Sequence, residues 1–149
     1  MYRFPPEAAA LRLRDCAELV YILIGDVRDV LEEPPSDENR HWLSVLLDTL
    51  LETVPEEFSL KSDGGYMSDV LDEFPHWDTR VSDLEDHYFS LYLQLRRLRE
   101  QLRLRVTYEE TAESLRDDLS AWIASFQEYR SEERDLVQTA VNLTVGAGD

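Results

Sequence analysis

Glu133 stands on the oily stripe of a helix. In FQEYRSEERDL, residues 126–136, and its flanks, Leu119, Trp122, Phe126, Tyr129, Glu133, Leu136 and Ala140 recur at alternating spacings of three and four. Such spacing puts them on one face of a helix. A carboxylate on that face needs a metal ion, a basic partner, a proton or water, because alone and buried it is expensive. Tyr129, one turn earlier, adds a phenol. The neighbouring Glu132 does not make an acid–base pair with Glu133, since consecutive helical residues point in different directions. Other reactive types are sparse: one cysteine, Cys16, and three histidines, His41, His76 and His87. A Cys16–His87 thiol catalyst would need a third, orienting group, and none is evident. GxSxG, a Gly-rich phosphate loop and CxxC are all missing, and the GG of KSDGG reads as a turn.

The elements that must position these groups are helices. Ala9, Leu13, Cys16, Val20, Leu23, Val27 and Val30 predict a first helix from about Glu7 to Leu31, which Gly25 weakens without ending. EEPPSDEN stops it, with Ser36 or Asp37 as cap of a second helix, Asn39 to about Ser59. There Leu43, Leu46, Leu50 and Val54 face inward, and Pro55 is a site for a kink or a break. After the KSDGG loop a short helix, Tyr66 to Glu73, leads to a new start at Pro75. Val81, Leu84, Tyr88, Leu91, Leu95, Leu98 and Leu102 give the third long helix its unbroken repeat. Arg96, Arg97, Arg99, Arg103 and Arg105 cluster near its end, where they suit the helix dipole. Thr107 to Glu110 has capping-box spacing and opens a fourth helix running to about Val141, with NLTVGAGD expected outside the packed body. The stripes cover one another in an all-α, antiparallel up-and-down four-helix bundle with a short extra helix between the second and third long helices. One domain, 1–149, accommodates all of it.

The 149 residues are 43% hydrophobic, enough for a sizeable core, and carry a formal charge of −17. That field disfavours nucleic acid and anionic membranes as partners. It reads first as a solvated acidic surface. A single cysteine rules out an internal disulfide framework, and Cys16 reads as a small core residue. ELVYILIGDV is too short to span a bilayer, and no signal-peptide pattern opens the chain, so a cytoplasmic location is expected. Asn142-Leu143-Thr144 then matches a glycosylation acceptor by chance. His41 and His76 are expected to face solvent. Around Tyr88, Phe89, Tyr92 and Leu93 the third helix is apolar beyond one seam, suggesting exposed aromatics at a homodimer or protein-partner surface, or wider core packing.

Four stretches, CAELVYILIGDVRDVL, EEFSLKSDGGYMSDVLDEFP, RVSDLEDHYFSLYLQLRRL and FQEYRSEERDLVQTAVNLTVGAGD, together resemble the hemerythrin-like, or HHE cation-binding, family. The last stretch is the most specific. The resemblance implies a four-helix bundle with a non-haem di-iron centre bound by histidines and carboxylates. It also implies that this chain has lost most ligands. Cys16 falls near the first-helix histidine, Glu57 and Lys61 take the places of the second-helix His-x-x-x-Glu pair, and Tyr129 replaces a histidine. His87 matches a ligand, with Asp83 four residues before it, and Glu133 keeps the acidic position.

A surviving metal would draw on Glu57, Asp83, His87 and Glu133, but an ammonium at Lys61 would repel it. The alternative is a buried polar cluster of Glu57, Lys61, His87, Tyr129 and Glu133, in which the ammonium neutralises the interior carboxylates. The expected function follows: a non-catalytic bundle without cofactor, serving as a binding or regulatory module. The competing expectation is a protein binding iron or another divalent cation in oxygen, redox or metal sensing.

Overall fold

The computed structural model describes residues 6–62, 65–104 and 108–147, and their regular structure is entirely helical. Four long helices, α1 (Pro6–Glu32), α2 (Asp37–Ser62), α4 (Asp78–Leu104) and α5 (Tyr108–Ala147), are joined by short connections. A two-turn helix, α3 (Tyr66–Glu73), and a 3-10 turn, Pro75–Trp77, lie between α2 and α4. The expected start of α2 holds, since Ser36 Oγ accepts a hydrogen bond from the Asn39 backbone N–H at 3.1 Å. The helix passes through Pro55 and ends three residues later than the periodicity predicts. The capping box at Thr107 lies outside the described residues.

One cluster of buried side chains draws on every helix. Val20 and Val27 from α1, Leu43, Leu47 and Leu50 from α2, Leu95 and Leu102 from α4, and Leu115 and Leu119 from α5 are essentially sealed from water. Leu47 rather than Leu46 faces the centre of α2; Leu46 is half-buried. Between helices, Trp122 Nε1 donates to the Leu91 carbonyl at 2.8 Å. Arg40 Nη2 donates to the Leu102 carbonyl at 2.8 Å, and Arg116 reaches the carbonyls of Val30 and Glu33. Both guanidinium groups reach carbonyls at or just past a helix C-terminus, where the helical ladder leaves acceptors over. On the surface Arg12 pairs with Glu56 and Arg99 with Asp48.

Two expectations are corrected. The tail is helical to Ala147, although residues 141–146 are exposed, so it projects from the core rather than leaving the helix. Residues 140–147 contain no proline that would end the helix, and Gly146 is a weak interruption. Tyr88 is not a surface aromatic: it is buried, and Phe58 stacks on it at 3.9 Å between ring centroids. Phe89 and Leu93 remain exposed, while Tyr92 is half-buried. No helix of the described residues is long and apolar enough to cross a membrane.

The long helices do not close on one another equally. α1 packs along α2, α2 along α4 and α4 along α5, but α1 and α5 meet over only a short stretch.

Candidate functional site

The partly open side between α1 and α5 exposes the edge of a buried ionic cluster. Lys61, at the end of α2, places its Nζ 2.7 Å from Glu57 Oε1, one turn back on the same helix. The same ammonium donates to Glu133 Oε1 of α5 at 2.8 Å. The three side chains are only 8%, 4% and 10% exposed. Lys61 is also the only lysine in the chain; every other basic residue of the Lys/Arg set is arginine. A compact ammonium can sit between two carboxylates where a planar guanidinium would not fit so closely.

Each carboxylate has further donors. Arg130 Nη2 donates to Glu57 Oε2 at 2.9 Å and to Oε1 at 3.2 Å. Tyr66 OH donates to Glu133 Oε1 at 2.8 Å, and Tyr129 OH donates to Glu133 Oε2 at 3.0 Å. Two cations therefore face two anions, and the phenols fill the remaining acceptor positions. This is the condition under which buried charges are tolerated. The same surroundings act on the phenols. Burial first, and then the negative charge of Glu133 and the hydrogen bond to it, push Tyr66 and Tyr129 well above the ordinary tyrosine range. Both remain neutral donors through the whole neutral range.

Gly65 makes the turn into α3 possible. A β-carbon there would stand 2.6 Å from the Lys61 carbonyl oxygen and still closer to that of Leu60. The backbone thus crosses directly over the end of α2 and sets Tyr66 against Glu133.

The structure brings Glu57, Lys61, Tyr129 and Glu133 together. His87 stands beside this group rather than within it. Its ring meets Tyr129 edge-on at 5.6 Å, while its Nδ1 lies 3.5 Å from Glu132 Oε2. The α4 helix presents His87 from the half-buried flank, because Leu84, Tyr88 and Leu91 take the inward positions. Asp83 is exposed. The residues Glu57, Asp83, His87 and Glu133 consequently do not fit a metal ion: two are held by Lys61, Glu57 additionally by Arg130, and the other two lie apart. No group of three or more His, Cys, Asp or Glu among the described residues converges in a metal-binding arrangement.

Cys16 lies on the opposite flank, near Glu56 and Glu57. Burial, and then the charges of those two carboxylates, raise its thiol above the ordinary range, outweighing Arg12. A nucleophilic cysteine requires the opposite shift. His41 and His76 are exposed.

Tyr66 and Arg130 are the site residues that sequence reasoning missed. Tyr66 follows the double glycine, a position that a turn reading leaves in solvent. Arg130 sits on the polar border of the α5 stripe, where an arginine reads as surface. The uniqueness of Lys61 was a usable signal, since a chain that otherwise uses only arginine has a local reason for one lysine. No protein-family model, no curated protein and no solved structure matches this chain.

Proposed function

We propose that this chain is a non-catalytic, hemerythrin-like up-and-down four-helix bundle that serves as a binding or regulatory module. In this reading an ammonium occupies the position that a metal holds in the family. One observation carries it: the sole lysine is buried between Glu57 and Glu133, on the helices where the resemblance puts metal ligands. A fixed internal cation neutralises the carboxylates and removes the lone pairs on which a metal would depend.

The antiparallel course has support in the pairings. Arg12, early in α1, meets Glu56, late in α2; Arg40, early in α2, reaches the Leu102 carbonyl, late in α4. The four-residue link 33–36 also favours a second helix that returns alongside the first. Against a catalytic role stand the neutral phenols, the raised Cys16 thiol and the two carboxylates already committed to cations.

The test is elemental analysis of protein purified without chelator, together with amine modification read by mass spectrometry. The expected result is substoichiometric iron, zinc and manganese, with Lys61 unreactive until the chain unfolds. A stoichiometric metal that is lost on Glu133→Ala substitution would overturn the reading.

A further inference from the structure

The cluster is the floor of a cleft of ≈ 480 Å³ between α1 and α5. Its volume is in the range of small-molecule sites. It lies where these two helices fail to close, so the ionic floor, and not a packed seam, faces outward. Six charged side chains line it: cations at Arg14, Lys61, Arg130 and Arg134, carboxylates at Glu57 and Glu133. Both carboxylates are already engaged by Lys61 and Arg130. Glu18 offsets Arg14 only through an exposed 3.3 Å contact, and Arg134 forms no ion pair among the described residues. In a chain of net charge −17, the lining sets four cations against two carboxylates, an excess that Glu18 partly offsets at Arg14.

Two donors remain at the floor. Lys61 has three N–H groups, of which the carboxylates account for two. Arg130 Nε is buried with no hydrogen-bond partner. Arg116 Nε, which does not line the cleft, is in the same state. The lining also has an apolar part, Leu13 and Ala17 of α1 with Val137 of α5.

We propose that the cleft binds a small amphipathic organic anion, a monocarboxylate with an apolar body. The head accepts hydrogen bonds and charge from Arg130 and Arg134, and the body lies against Leu13, Ala17 and Val137. A divalent cation is opposed by the excess of cations over carboxylates in the lining, both carboxylates being held by Lys61 and Arg130. A neutral apolar ligand leaves the donors unanswered. The proposal rests on the binding-module reading and names the class of its ligand.

Octanoate is the probe, titrated into the 15N-labelled full chain and followed by amide shifts, with 1-octanol and inorganic phosphate as separate arms. Saturable shifts centred on Leu13, Ala17 and Val137 are expected with octanoate and not with the other two. Replacing the exposed pair, Arg14→Gln with Arg134→Gln, weakens binding about fivefold, as expected for two solvent-exposed charges. Arg97→Gln on α4 makes a charge change away from the cleft and leaves the affinity unchanged. Octanol binding as tightly shows that the cations are idle, and phosphate binding as tightly shows that the apolar wall is idle; either overturns the proposal. So does the absence of saturation in a chain that is metal-free with Lys61 shielded, which leaves the module reading standing. Stoichiometric metal instead overturns the module reading itself.

Discussion

Lys61→Met removes the ammonium and keeps most of the side chain's volume. At 2.7 and 2.8 Å from its carboxylates, each ion pair is worth about 6 kcal/mol at an effective dielectric of about 20. Most of that is offset by desolvation of the ammonium, which the variant no longer incurs, and two carboxylates left together repel. Removing one partner of a buried pair costs about 3–5 kcal/mol. Here the low end applies, because Glu57 keeps Arg130 and Glu133 keeps both phenols. A loss of about 3 kcal/mol, with a urea slope of about 2 kcal/mol/M, lowers the midpoint by about 1.5 M. The second variant, Lys61→Met with Glu133→Gln, removes the stranded charge and recovers about half or more of the loss, giving a coupling of about 2 kcal/mol. Arg97→Met, an exposed site with the same change in net charge, stays within about 0.5 kcal/mol of the parent. Urea unfolding followed by far-ultraviolet circular dichroism measures all four, together with Glu133→Gln alone, which closes the cycle. If Lys61→Met matches the parent, or if the two cluster substitutions simply add, the ionic centre contributes nothing and the reasoning is wrong.

Alkaline pH tests the phenols. Their folded pKa values lie above the unfolded value of 10.0, so the stability they confer is complete below pH 10 and falls as the pH rises beyond it. Tyr66 and Tyr129 together take away about 3 kcal/mol per pH unit, and Tyr88, pushed up to about 12, adds to the slope until it too ionises. Tyr66→Phe removes one proton's share from the slope; phenolate absorbance near pH 10 that the intact fold shows and the Tyr66→Phe variant loses would contradict this. Gly65→Ala forces a β-carbon against the Leu60 and Lys61 carbonyls and costs about 1–3 kcal/mol. It also shifts Tyr66 and makes Lys61 more reactive toward amine reagents, so unchanged melting and unchanged reactivity would refute the crossing described for this turn.

Much of the helical architecture was legible from spacing. The repeat from Val81 to Leu102 is buried at each of its seven positions, and the Leu119 to Ala140 stripe is buried throughout, Glu133 included. Helix ends were less legible: α2 runs past Ser59 and α5 past Val141, because termination depends on local competition rather than on periodicity. The question posed by Glu133 was likewise visible in the chain. Its full answer was not.

By itself the sequence determined which face of each long helix turns inward, since apolar spacing is a property of one segment and water sorts it without reference to any other. Tertiary structure alone decided which polar groups meet. Arg130 reaches Glu57 across 73 positions and Tyr66 reaches Glu133 across 67, through the axial offset of α5 against α2 and the crossing at Gly65. His87 stands outside the group because Leu84, Tyr88 and Leu91 take the inward positions of α4. Such offsets are set by how whole helices interlock, and no periodicity within one helix encodes them.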